Sequence, residues 1–219
     1  MDVYPEELIE KALAGNGRAC LTCSFQAEDM AVLHMARRIE PKIPVLFLET
    51  GYHFAETYAY RDKMTAAWDL NLVNLMPKST VAEQESAFGK LYISQPSECC
   101  NRRKVEPLFR GLSDYDIWFT GLRREQSPTR ANLKQEEAHR LPDGREIRKI
   151  SPLAAWTMKD VWAYLTVNEI EPLSLYEQGY LSIGCEPCTA LPADANNPRS
   201  GRWGGVKLEC GIHTFSERQ

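Results

Sequence analysis

Seven cysteines in a chain of 219 residues are the side chains with the clearest chemical potential. Four of them form two pairs, the adjacent Cys99 and Cys100 and the C-x-x-C pair Cys185 and Cys188. The odd total, and an N-terminus that lacks the apolar core of a secretory leader, favour metal ligands or reactive thiols over disulfides. The chain is therefore expected to work in the cytoplasm.

The two cysteine pairs together could supply four sulfur ligands to a tetrahedral zinc ion or to an iron–sulfur cluster. Taken separately, a C-x-x-C is also typical of a redox dithiol, and adjacent cysteines are also typical of ordinary buried thiols. Adjacent cysteines do not easily point to one small ion, but each can reach a different iron. The spacing therefore favours a [4Fe–4S] cluster over zinc.

The other three cysteines are predicted to differ in role. Cys20 and Cys23 fall within a predicted buried strand and are interpreted as small core residues. Cys210 stands in the stretch ECGIH, close to the end of the chain, where chains usually fray. Such a thiol is either incidental to a disordered end or a nucleophile that has to move, and the rest of the sequence must decide.

Three groups of basic residues follow the adjacent cysteines, follow a predicted strand, or lie near the C-terminus, although the net charge is −4. A charge run is usually a solvated face, but these positions predict a pocket for a small polyanion held by guanidinium groups. The acidic balance argues against nucleic acid, and no apolar run is long enough for a transmembrane helix. The groups are Arg102, Arg103 and Lys104; Arg123, Arg124 and Arg130; and Arg199, Arg202 and Lys207.

Alternating strand and helix patterns must position these side chains. Strands are predicted from the apolar runs 18–25, 43–50, 70–75 and 115–122, and a further strand from the segment that follows a Pro-Asp-Gly turn at 142–144. Helices are predicted at 28–40 and 54–70, and capping boxes begin further helices at Thr80 and Thr157. This order predicts an α/β domain over 1–190 with a parallel twisted sheet and helices on both faces, followed by a mobile tail over 191–219.

In such sheets ligands bind beyond the carboxyl ends of the strands, which places 24–29, 49–53 and 121–130 along one rim. The stretch SFQAED at 24–29 is a strand-to-helix turn whose amides could hold a phosphate, although it is not a Walker loop. Of the histidines, His34 is predicted to pack on a helix and His139 to lie on the surface. His53 is left open between packing and lining the pocket.

Five stretches together resemble one family. SFQAEDM, LETGYHF, CC with CEPC, GLRREQSPTR and ECGIH resemble the assimilatory adenylyl-sulfate (APS) reductases, relatives of the phosphoadenylyl-sulfate (PAPS) reductases, from about residue 18 to 213. The Arg-rich loop and the ECG-[IL]-H end are specific signatures. The cysteine pairs resemble the branch that carries a [4Fe–4S] cluster and mostly prefers APS. The resemblance implies an adenine-nucleotide α-hydrolase-like, Rossmann-like fold with thioredoxin as electron donor.

The resemblance also implies roles, position by position. Cys210 would be the nucleophile, His213 its neighbouring histidine, and Lys104 a lysine between cluster and substrate. Glu49 stands where the family usually has Asp and is given no role. The implied cluster ligands are Cys99, Cys100, Cys185 and Cys188, and the implied substrate-binding residues are Ser24, Phe25, Gln26, Asp29, Leu48, Thr50, Gly51, Arg123, Arg124, Arg130, Arg199 and Arg202.

The implied activity is thioredoxin-dependent reduction of APS to sulfite and AMP through an enzyme S-sulfocysteine, in assimilatory sulfate reduction. A tail suits Cys210 because the thiol must first reach bound APS and then a protein partner. Three alternatives stay open: a PAPS reductase, an ATP-dependent thiolation enzyme on the same fold, and a cluster-bearing redox sensor or nucleotide-binding module. The loop at 24–29 lacks the paired glycines of the second, and the third gives Cys210 no task. A homo-oligomer is compatible with the resemblance.

Overall fold

The computed structural model describes residues 2–194, 197–205 and 211–212. The strands are β1 Ala19–Thr22, β2 Pro44–Leu48, β3 Asn71–Leu75, β4 Ile117–Phe119, β5 Glu136–Arg140 and β6 Glu146–Ile150. They form one six-stranded sheet in the order β3-β2-β1-β4-β6-β5. Neighbouring strands are parallel except β5, which runs antiparallel to β6 at the edge. The predicted parallel α/β sheet is confirmed.

The α-helices are α1 Pro5–Leu13, α2 Ala27–Ile39, α3 Ala55–Trp68, α4 Val81–Phe88, α5 Leu91–Ser94, α6 Pro96–Cys100, α7 Glu106–Leu112 and α8 Met158–Val167. A π-helical turn, Asn101–Val105, joins α6 to α7 and carries three consecutive basic residues. Such turns occur most often at functional sites. Within the described part of the chain, no helix has the length and apolar character needed to cross a bilayer.

Helices cover both faces of the sheet because successive strand residues point to opposite sides. Leu21 and Phe119 belong to the core shared with α1, α2, α3 and α8. Their neighbours Cys20 and Trp118 belong to the core on the other face, where α7 packs. Cys20 and Cys23 are both buried in these cores, as predicted.

Both predicted capping boxes are present. The Thr80 hydroxyl accepts the Glu83 amide proton at 3.2 Å while the Glu83 carboxylate accepts the Thr80 amide at 2.8 Å. Thr157 and Asp160 make the same reciprocal pair at the start of α8. Each box satisfies two amides that a helix N-terminus otherwise leaves without a partner.

The edge strand β5 had no signal in the sequence, and the expectation that His139 lies on the surface is wrong. The strand reads Glu-Glu-Ala-His-Arg, which lacks the apolar alternation of a strand, because edge strands carry charge that prevents further pairing. His139 points inward and is fully buried, with its ring stacked on Phe109 at 5.8 Å and edge-on to Trp118 at 5.1 Å.

The strand order reverses between β1 and β4, since β2 and β3 lie on one side of β1 while β4 lies on the other. At such a point the loops leaving the two strands diverge and open a crevice at the carboxyl edge. Ser24 follows β1 at this edge, and Gly121 follows β4. The fold therefore brings the first and the third predicted rim segments together.

Candidate active site

A cavity of about 530 Å³ lies at the crevice between the β1 and β4 loops. This volume is within the range of small-molecule sites and suits a nucleotide. Among the residues for which a role is implied, those that line the cavity are Ser24, Gln26, Asp29, Leu48, Lys104, Arg123, Arg130, Arg199 and Arg202.

The loop between β1 and α2 is closed by Asp29. Its Oδ2 atom accepts the Ser24 amide at 2.7 Å and the Ser24 hydroxyl at 2.5 Å. The same carboxylate accepts the backbone amide of Gly121, where a Cβ would overlap with it. Burial raises the pKa of Asp29 to about 6, and the hydrogen bonds from Ser24 oppose that rise. Asp29 therefore ties the two loops of the crevice to each other.

Phe25 has a different place from the other residues of this loop. Its backbone is left-handed, with φ of 59°, a conformation that residues with a Cβ rarely adopt. The ring is fully buried and packs edge-on against Phe47 at 5.8 Å and Tyr60 at 6.5 Å. The side chain belongs to the core, so only the Phe25 backbone is available to a ligand.

The arginines after β4 point to different places. Arg123 is buried and bonded to two carboxylates, Glu28 at 2.9 Å and Glu125 at 2.7 Å. Arg124 holds the carboxylate of Asp2 through two bonds of 2.8 and 2.9 Å and does not line the cavity. Arg130 lines the cavity and donates to the side-chain oxygen of Gln126. The predicted arginine loop thus offers the cavity one structural arginine and one at its lining.

Arg199 and Arg202 reach the cavity from the C-terminal region. The Arg202 guanidinium lies 4.4 Å from the ring centre of Trp203, and the Arg199 guanidinium lies 5.7 Å from it. Arg202 and Trp203 are only 5% and 8% exposed, so this part of the predicted tail packs against the domain. A Cβ at Gly184 would overlap with the Arg202 guanidinium, which therefore depends on glycine at that position. The predicted division of the chain at residue 190 stays a prediction.

A second, smaller recess is lined by all four paired cysteines. Cys99 and Cys100 are buried at the end of α6, and Cys185 and Cys188 are partly buried. Burial and the charges of the other three thiols raise the pKa of Cys99 to about 11, so the four sulfurs lie within electrostatic range of one another. Lys104, Arg202 and Trp203 line both the recess and the cavity. These three side chains form the wall between them.

The segment LETG at 48–51 spans the two spaces. Leu48 lines the cavity, whereas the Thr50 hydroxyl lies 3.4 Å from the Cys185 thiol, which donates to it. Gly51 has φ of +70°, and a Cβ there would press on the side chains of Val81 and Arg103. The segment therefore positions the C-x-x-C pair as well as the cavity.

Glu49 has a structural task within this segment. Its carboxylate accepts the Gly51 amide at 2.8 Å and the Tyr58 hydroxyl at 2.5 Å. Arg61 completes the set with an ion pair at 3.2 Å. Glu49 thus fixes the turn rather than facing the cavity.

Arg103 is buried beside the recess and donates to neutral oxygens, the carbonyls of Thr50 and Ser79 and the side chain of Gln84. Its guanidinium also lies 5.3 Å from the ring centre of Tyr52. In the part of the chain that the structure describes, this cation has no carboxylate partner. A buried cation of this kind favours a negatively charged occupant nearby.

The histidines have distinct places. His53 lines the cavity, and its Nε2 lies 2.8 Å from the Leu48 carbonyl oxygen, to which it donates. Burial and the charge of Lys104 lower the pKa of His53 to about 4, so the ring is neutral at physiological pH. His34 packs on α2 as predicted, with Nδ1 2.9 Å from the Tyr164 hydroxyl.

Cys210 and His213, the predicted nucleophile and its neighbour, lie outside the described residues. The two residues between them are described. Gly211 has φ of +92°, and Ile212 lines the cavity and packs against the core on the α7 face.

Several cavity residues had no role in the sequence-based predictions. Thr120 and Gly121 follow β4 directly, so the rule that ligands bind at the carboxyl ends of strands could have identified them. Glu28, Trp203 and Ile212 gave no such signal, because their places depend on packing between segments that are distant in the chain.

Comparisons with known proteins agree with this architecture. A family model described as "Phosphoadenosine phosphosulfate reductase domain" matches residues 18–191. An adenosine 5'-phosphosulfate reductase from Mycobacterium tuberculosis is 44% identical over 213 residues, which are 91% of this chain and 82% of the relative. One of the same name from Mycolicibacterium smegmatis is 46% identical, covering 97% of this chain and 89% of that protein. The crystal structure of a PAPS reductase from Candida auris, a phosphate complex, superposes with a TM-score of 0.75 at 27% identity, covering 86% of this chain and 91% of that one.

Proposed function

Since the chain belongs to the phosphoadenosine phosphosulfate reductase family, we propose that it reduces adenosine 5′-phosphosulfate to sulfite and AMP. The relatives that carry the name APS reductase match it over most of their length. The observation that carries the proposal is the nucleotide-sized cavity at the switch point of the sheet, lined by an excess of cations. Preference for APS over PAPS rests on the names of the relatives and on the cysteine pairs.

The charge of the cavity supports an anionic substrate. The carboxylates of Glu28 and Glu125 are engaged by the buried Arg123. The lining then offers the cations Lys104, Arg130, Arg199 and Arg202 against the single carboxylate of Asp29. Guanidinium groups bind phosphate and sulfate oxygens in pairs, so this excess suits a phosphosulfate.

The first chemical step would be attack of the Cys210 thiolate on the sulfate sulfur of APS. A bond forms between the Cys210 sulfur and the sulfate sulfur, while the bond from that sulfur to the bridging oxygen breaks. The bridging oxygen keeps the electron pair and leaves as AMP, and the enzyme holds an S-sulfocysteine. The arginines would stabilise the charge that moves onto the leaving phosphate. Cationic groups near a thiol lower its pKa, which favours the attacking thiolate.

The second step would be thiol exchange with reduced thioredoxin. A thioredoxin thiolate attacks the Cys210 sulfur, and sulfite leaves with the electron pair of the broken sulfur–sulfur bond. The second thioredoxin thiol then displaces Cys210 as a thiolate, leaving oxidised thioredoxin. We place this chemistry in the cytoplasm, where reduced thioredoxin is maintained.

The recess fits an iron–sulfur cluster better than a single ion. Within the described residues, no three His, Cys, Asp or Glu side chains converge as one metal ion requires. The recess nevertheless gathers four sulfur donors, beside the buried cation Arg103. Four thiolates around a [4Fe–4S] cluster are spread more widely than around one ion, and the cluster with its thiolates is anionic. We therefore assign Cys99, Cys100, Cys185 and Cys188 as its ligands.

A bound cluster would supply negative charge and rigidity next to the wall of Lys104, Arg202 and Trp203. Lys104 lines both spaces, so its ammonium group lies between the ligands and the substrate cavity. The chain's own contribution is to hold cations at a fixed place where the phosphosulfate would lie.

The proposal is tested by measuring sulfite release from APS and from PAPS with reduced thioredoxin, on anaerobically purified protein and its Cys210→Ser variant. Sulfite from APS that disappears in the variant would support both the substrate and the nucleophile. A higher rate with PAPS would transfer the assignment to that nucleotide. Release of pyrophosphate from ATP, or no turnover of either nucleotide, would favour thiolation or sensing and contradict the proposal.

A further inference from the structure

We infer that Ile212 is the apolar anchor that docks the ECGIH segment on the sheet and thereby positions Cys210 over the cavity. The inference rests on the proposed function, since it assigns Cys210 the attack on the nucleotide. Ile212 is a positioning residue in this account: it acts through the cysteine that stands two residues earlier.

Ile212 is partly buried and packs against the core on the α7 face of the sheet. That core contains Leu46 of β2 and, at its margin, Leu48, and both of these residues also line the cavity. Ile212 itself lines the cavity. It therefore lies where the apolar core meets the substrate space, and not on an unrelated surface.

The chain geometry links this contact to the nucleophile. Consecutive Cα atoms are about 3.8 Å apart, so the Cα atoms of residues 210 and 212 are separated by at most ~7.6 Å. Fixing Ile212 confines Cys210 to a small volume at the edge of the cavity. Gly211 between them has φ of +92°, a conformation that glycine adopts at low cost and other residues do not.

Ile212 is also the one large aliphatic side chain in the stretch Glu-Cys-Gly-Ile-His. Its partial exposure means that docking gains less free energy than burial of a full core residue. A weak anchor suits the two steps, because the segment has to be docked for attack on the nucleotide and released for exchange with thioredoxin. A shorter side chain at 212 should shift this balance toward the released state.

The competing explanation is that Ile212 merely adds stability to the core. Val73 of β3 is a matched control, since it is partly buried, packs against the same core and does not line the cavity. Removing methyl groups at either position should lower the melting temperature slightly. An anchoring role predicts a difference between the two in the chemical steps, which stability alone does not.

The experiment separates the two steps in single turnover, using the wild-type protein and the Ile212→Ala, Ile212→Leu and Val73→Ala variants with their cluster intact. The attack is followed as the burst of AMP from saturating APS without reductant. The exchange is followed as sulfite release when the isolated S-sulfo protein meets reduced thioredoxin. We expect Ile212→Ala to slow the burst about tenfold at saturating APS, with exchange unchanged or faster, and Ile212→Leu to restore most of the burst rate.

Equal burst rates in wild type and Ile212→Ala, or the same loss in Val73→Ala, would overturn the anchor. Failure of the proposed function has a different signature, since the wild-type protein would then give no AMP burst. Alkylation of Cys210 by iodoacetamide, read by mass spectrometry, tests docking without any turnover. We expect alkylation several times faster in Ile212→Ala than in Val73→Ala, and equal rates would contradict the inference.

Discussion

The Arg123 guanidinium is bonded to the Glu28 carboxylate through two nitrogens, Nη2 at 2.9 Å and Nε at 3.2 Å. The two side chains are only 3% and 10% exposed. The pair joins the loop after β4 to the first turn of α2, the two sides of the crevice. An arginine that the sequence assigned to the substrate is thus also part of the frame that shapes the cavity.

We predict that Arg123→Gln lowers the free energy of unfolding by about 3–5 kcal/mol, because it leaves the Glu28 carboxylate buried without its partner. Arg124→Gln is the control, since its pair with Asp2 is partly exposed and should contribute under ~1 kcal/mol. Urea unfolding of both variants measures the difference. Similar losses in the two would show that the buried pair has no special structural role.

Gly184 controls the position of Arg202. A Cβ at Gly184 would overlap with the guanidinium, so Gly184→Ala should displace Arg202 from the wall between the cavity and the recess. We expect the KM for APS to rise about tenfold, the loss of roughly one charge-assisted hydrogen bond, with a small change in melting temperature. Gly15→Ala, where the added methyl makes an ordinary contact, should leave the KM unchanged. An unaltered KM in Gly184→Ala would refute the displacement.

Arg103 should affect the recess more than its neighbour Arg102. Arg103 is buried and bonded to neutral oxygens, whereas Arg102 is exposed at 40% and paired with Glu98. We expect Arg103→Gln to lower the iron and acid-labile sulfide retained after anaerobic purification, because an anionic cluster would lose a nearby buried cation. Arg102→Gln should retain both. Equal retention in the two variants would separate Arg103 from the cluster.

Acid should destabilise the protein through His139. Burial lowers its pKa to about 4 in the folded state, against 6.5 for an exposed histidine. Above pH 6.5 the imidazole is neutral in both states, so it has no effect on stability. As the pH falls from 6.5 toward 4, the unfolded chain binds a proton that the folded chain does not, and stability falls by up to about 3 kcal/mol.

The variant His139→Phe should therefore lose less stability across that window, as followed by urea unfolding at several pH values. His53 has a similarly lowered pKa of about 4, so part of the slope should persist in the variant. A variant whose pH dependence equals that of the wild type would contradict the assignment to His139.

The sequence predicted the parts of the fold that have strong local signals. The strands β1 to β4 are apolar because they are buried on both faces, and the capping residues Thr80 and Thr157 begin their helices as expected. The edge strand β5 was missed because its outward residues are charged. Its inward residue His139 was consequently placed at the surface.

The site was predictable to the extent that the rule on strand ends applies. Ser24 and Asp29 follow β1 and meet in the cavity, as the order of strands requires. The divergence of Arg123 and Arg124 could not be foreseen, because it depends on Glu28 and Asp2, each far away in the chain. The same reason hid the wall residue Trp203, which only the return of the C-terminal region places beside the cysteines.

The central claim is that Cys210 takes a sulfonate group from APS. The most direct test is the intact and peptide mass of anaerobic protein mixed with APS in the absence of any thiol reductant. The account predicts that the peptide containing Cys210 gains the mass of one SO₃ group, with AMP released in equal amount and the adduct lost on adding reduced thioredoxin. AMP release without any adduct on Cys210, or an adduct on another cysteine, would contradict it.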